Sequence, residues 1–69
     1  MGQSRISLAQ DHVEKGRVIV ARQRALIERL RVNRHDTRDA EELLARFEAT
    51  LRIFTDDLDR LEQAAPGGA

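Results

Sequence analysis

The chain contains no cysteine, tryptophan or tyrosine, and only two phenylalanines. Without cysteine there is no disulfide framework, no thiolate nucleophile and no thiolate metal site. The two histidines, His12 and His35, would leave carboxylates to complete any structural zinc site. With no tyrosine or tryptophan, and with Phe47 and Phe54 placed in an apolar repeat, no platform remains on which nucleic-acid bases could stack. Between Gln3 and Ala65 there is one glycine, Gly16, and no proline. Nothing therefore interrupts two long stretches, and no glycine-rich phosphate loop can form. Serine occurs only at Ser4 and Ser7. Long apolar runs are missing too. The longest, Val18 to Ala21, falls far short of the ~20 residues a membrane span requires. The segment MGQSRISLAQ has no apolar core of signal-peptide length, and Ile6 stands where a myristoylation pattern needs Ser or Thr. Together with the lack of cysteine, this fits a cytoplasmic setting with no membrane partner.

What remains is short and highly charged. Sixty-nine residues make one small domain, which buries proportionally little of its surface. Small folds of this kind are usually stapled by disulfides, a metal or a partner subunit. Here self-association is the expected staple. Net charge is zero, but its distribution is uneven. Residues 1–35 carry eight bases against three acids, and residues 36–69 carry four bases against nine acids. A chain so divided favours packing of its halves against each other.

The apolar residues repeat in heptads. In the first half the row reads Ile6, Ala9, Val13, Gly16, Val20, Gln23, Ile27, Leu30. In the second it reads Ala40, Leu44, Phe47, Leu51, Phe54, Leu58, Leu61. Steps of three and four alternate, as in helices packed side by side at a shallow angle. No strand-like alternation competes. The expectation is an all-α fold with one helix over about 7–33, a turn over about 34–37 and a second helix over about 38–63. Each helix would be about 40 Å long. Residues 1–6 are expected to be a flexible N-terminus, and 64–69, with their PGGA ending, a disordered tail. So short a link makes the helices antiparallel neighbours, a helical hairpin.

With the seam residues at heptad positions a and d, positions e and g flank it. In an antiparallel pair, e faces e and g faces g. The e row places Arg31 near Glu41, Arg24 near Glu48, Arg17 near Thr55 and Gln10 near Glu62. These pairs fix register more than they add stability. The g row carries Ile19, Leu26 and Leu43. That edge is left wet in a lone hairpin and is expected to meet a second copy in a dimeric four-helix bundle. Two seam residues break the apolar rule. Gly16 is expected to make room for Phe54 or Leu58, and Gln23 to lie opposite Phe47 or Leu51 and set register.

The segment NRHDTRDAEELL, Asn33 to Leu44, is the densest in groups able to carry chemistry. His35-Asp36 matches the metal-binding pair of HD-type phosphohydrolases, but over two residues only. The further His and Asp residues of such sites are missing. A turn accounts for it better. Asp36 or Thr37 caps the second helix, and Asp39, Glu41 and Glu42 favour its positive N-terminal end. Arg29, Arg31 and Arg34 favour the negative C-terminal end of the first helix, and Asn33 is suited to the left-handed residue that stops it. No catalytic, cofactor or metal residues are expected. Two alternatives are a nucleic-acid-associated factor using Arg22, Arg24 and Arg29, and a metal- or ligand-binding bundle using His12 with Asp11, Glu14 and Asp57.

Residues 12–61 resemble a group of short bacterial proteins of unknown function. They share a pattern like H-V-x-x-G-x-x-x-V-x-R-Q-x-x-L-I-x-R-L, then H-D-T-x-x-A-E-x-L-L-x-x-F-E-x-T-L. The match here runs through His12, Val13, Gly16, Val20, Arg22, Gln23, Leu26, Ile27, Arg29 and Leu30. It resumes through His35, Asp36, Thr37, Ala40, Glu41, Leu43, Leu44, Phe47, Glu48, Thr50 and Leu51. Arg34 stands where such sequences tend to have Gly, which leaves Asn33 to carry the turn. The resemblance implies a helical hairpin and supplies no activity. The expected function is that of a non-catalytic structural or interaction module, a small accessory or regulatory protein. Its partner is a second copy of itself, or else another helical protein.

Overall fold

In the computed structural model, which describes residues 4–64, the chain forms two α-helices, α1 (Arg5–Val32) and α2 (Arg38–Ala64), packed as an antiparallel hairpin. The molecule measures 55 × 21 × 15 Å, so it is a single layer two helices wide. Its radius of gyration of 16.0 Å exceeds the ~11 Å of a compact chain this long.

Helix α1 begins at Arg5, two residues before the expected start. The Ser4 hydroxyl accepts a 3.0 Å hydrogen bond from the Ser7 N–H, and the Ser4 carbonyl accepts from the Leu8 N–H. Ser4 is thus the N-cap, and Arg5 and Ile6, expected to be flexible, are helical. At the other end Asn33 is the C-cap with φ −86°, not a left-handed residue. The left-handed conformation falls on Arg34, at φ 59°. The His35 N–H donates to the Leu30 carbonyl and the Arg34 N–H to the Arg31 carbonyl, at 2.8 and 3.0 Å. That pair of bonds is the Schellman motif, which requires its left-handed residue one place beyond the C-cap. Register along α1, not residue preference, therefore puts the turn on an arginine.

Helix α2 opens with the Asp36 carboxylate accepting from the Arg38 N–H at 2.9 Å, while the Thr37 carbonyl accepts from the Glu41 N–H. Asp39 and Glu41 sit in its first turn, where they meet the positive end of the helix dipole. The helix runs through Ala64, one residue past its expected end. The expected tail from 65 to 69 and the first three residues lie outside the described part of the chain.

The core lies along the seam. All five buried residues of α1, Ala9, Val13, Val20, Gln23 and Ile27, are seam positions. In α2 every seam position from Ala40 to Leu61 is half-buried, and none is buried. A single neighbouring helix cannot cover both sides of that row. Gly16 lets the helices come close. A Cβ placed there would stand 3.0 Å from Leu51 Cδ1 and 3.7 Å from Phe54 Cδ2. The neighbours are thus Leu51 and Phe54; Leu58, expected here, is not among them. Gln23 also differs from expectation. Its Nε2 donates to the Ala40 carbonyl at 2.9 Å, about two turns nearer the loop than Phe47 and three nearer than Leu51. No described helix is long and apolar enough to cross a membrane.

Candidate interaction surface

The two edges of the seam differ in chemistry. Along the e edge Arg24 reaches Glu48 at 2.8 Å, and Arg31 reaches Glu41 at 3.4 Å and Glu28 of its own helix at 3.1 Å. The row weakens away from the turn. Thr55 donates its hydroxyl back to the Leu51 carbonyl at 2.8 Å instead of meeting Arg17. Gln10 and Glu62 form no hydrogen bond with each other among the described residues. Arg17, Gln10 and Glu62 are solvent-exposed, so nothing but water competes for them.

The g edge is apolar and open. Ile19 is 43% exposed, Leu43 39% and Ile53, just outside the row, 64%, while Leu26 is half-buried. Between the helices on this side lies a groove of about 220 Å³. Its lining includes Gly16, Ile19, Phe47, Thr50, Leu51 and Phe54, with His12 and Lys15 beside them. The groove has a simple origin. At Gly16 the helices close in and Leu51 takes the space a side chain would need, and the groove is what lies open beside that contact on the g side. Ile53 was missing from the expected edge residues because it is one heptad position outside g. The other residues of its row, Asp39, Arg46 and Arg60, are charged, so it gives no periodic signal.

The residues considered for chemistry do not assemble. His12 rests its ring against Phe54, with centroids 5.3 Å apart. Asp57 lines the same shallow depression as His12, across the edge, as the heptad register requires. Among the described residues, however, no three His, Asp or Glu side chains converge on a point that could hold a metal ion. His35 and Asp36 are exposed on the turn, and Asp36 is engaged as a helix-start acceptor. Of the three arginines considered for nucleic acid, Arg24 is held by Glu48. Arg22 and Arg29 are exposed, and neither has an ion-pair partner among the described residues.

No buried side-chain nitrogen or oxygen among the described residues lacks a hydrogen-bond partner. The hairpin thus keeps no frustrated polar group aimed into a cleft, the feature that would point to an enclosed ligand. What it leaves unsatisfied is apolar. No family model, curated protein or solved structure matches the chain.

Proposed function

We propose that the protein is a non-catalytic interaction module that self-associates through its g edge into a dimeric four-helix bundle. The observation that carries this reading is the half-open seam: α2 buries none of its residues, and Ile19, Leu43 and Ile53 stand exposed beside the groove at Gly16. A second hairpin laid on that face covers all of them. Two copies together bury six such half-exposed side chains, on the order of 6 kcal/mol of transfer free energy. Covering the rest of the α2 seam adds to it. Association costs at least ~4 kcal/mol, so these six side chains alone leave about 2 kcal/mol, and a dimer populated at micromolar concentration, about 8 kcal/mol, must draw the rest from covering the α2 seam. The role expected of such a module is accessory or regulatory, in the cytoplasm.

Light scattering on wild type and on Leu26→Glu tests this. The wild type should give twice the 7.9 kDa chain mass, and the variant the mass of one chain. A wild type that is a stable monomer at micromolar concentration contradicts it.

A further inference from the structure

The dimer, if the preceding reading holds, has two possible arrangements on the g face. Two-fold symmetry allows the second hairpin to place its turn at the same end, with α1 against the partner copy's α2, or at the opposite end, with α1 against α1. We infer that the turns lie at the same end.

Charge argues for it first. The face outside the seam is built from the g row and the next row out, heptad position c. In α1 the c row is Leu8, Lys15, Arg22 and Arg29, three cations with no acid. In α2 it is Asp39, Arg46, Ile53 and Arg60, and the adjacent g row contributes Asp57. The opposite-end arrangement sets Lys15, Arg22 and Arg29 against the same three cations of the second copy. The same-end arrangement sets them against an α2 face whose two acids, Asp39 and Asp57, balance its two bases, Arg46 and Arg60. Juxtaposed like charges are what specific interfaces avoid.

Register argues for it independently. The cross-helix ion pairs join Arg24 to Glu48 and Arg31 to Glu41, and in both the residue numbers total 72. A residue n of α1 therefore stands within about a turn of residue 72 − n of α2, as Gly16 does against Leu51 and Phe54. A two-fold axis parallel to the helices leaves heights unchanged, so the same approximate rule holds across the interface. Leu26 then falls within one turn of Leu43 of the second copy, and Ile19 level with its Ile53. Lys15 falls level with its Asp57, and Arg29 lies within about one turn of its Asp39. The exposed apolar residues meet each other, and the cations of α1 meet the acids of α2. Three like-charge approaches within a turn remain, Arg22 and Arg29 to Arg46 and Lys15 to Arg60, and all five residues are exposed at the rim.

The chain has no cysteine, so an introduced thiol is unique. A spin label on His35→Cys, at the exposed turn, reports the arrangement directly. With turns at the same end, neighbouring helices 8–10 Å apart put the labels within roughly 25 Å of each other. With turns at opposite ends the separation is set by helix length, about 40 Å or more. A short interchain distance supports the inference. A long one overturns it and leaves self-association standing, while a sample with no interchain distance removes the dimer itself. A mixture of Ile19→Cys and Ile53→Cys chains gives a second readout. The same-end dimer yields the mixed disulfide in preference to either symmetric one, and a dominant Ile19→Cys homodimer contradicts it.

Discussion

Arg34 is the only non-glycine residue with positive φ among those described, and it sits where the Schellman turn demands it. A left-handed residue with a Cβ costs roughly 1–2 kcal/mol, which glycine avoids. Arg34→Gly should therefore raise the stability of the hairpin by about 1 kcal/mol, or several degrees in thermal midpoint. Arg34→Ala, which keeps the Cβ, should not. Paired thermal melts of the two variants check this. Gly16 shows the opposite balance. Replacing it with Ala gains about 1 kcal/mol of helix propensity but presses a methyl group on Leu51, 3.0 Å away. Leu51 is half-buried and the contact is with its terminal carbon, so it can yield a few tenths of an ångström. Gly16→Ala should leave stability within about 0.5 kcal/mol of wild type by denaturant titration, whereas Gly16→Leu, overpacking the seam, should cost about 1–3 kcal/mol.

At the scale of the helices, two cross-helix ion pairs and one buried glutamine hold the register. Exchanging charges tests the pairs. Arg24→Glu alone should lose up to about 1 kcal/mol, and adding Glu48→Arg should restore most of it in a double-mutant cycle. Additive losses would mean that the contact does not contribute. Much of this scale was legible in the sequence, because alternating steps of three and four place side chains on one face whatever their surroundings. The buried residues of α1 all fall on that row, and every residue of the row in α2 is half-buried. The helix ends were less legible. Ser4 competes with Ser7 for the same capping role, and only the bond between them decides it. Asn33 has the intrinsic preference for a left-handed turn, but the hydrogen bonds to Leu30 and Arg31 assign that turn to its neighbour. Gln23 could be recognised as the polar member of the seam. Its partner could not, since a backbone carbonyl leaves no mark in the sequence.

The hairpin is a layer 15 Å thick, too thin to cover its seam from both sides. Half-covered side chains along α2 and an apolar edge with a groove are the consequence. If a second copy supplies the missing layer, folding and association are linked, and the thermal midpoint should rise with protein concentration. Sedimentation equilibrium at micromolar concentrations, on wild type and Ile19→Glu, tests that claim most directly. The substitution puts a charge on a residue already 43% exposed, so the hairpin itself should keep its helical content. Wild type should sediment as two chains and a folded Ile19→Glu as one; a wild type of one chain, with the same helical stability as the variant, would rule the dimer out.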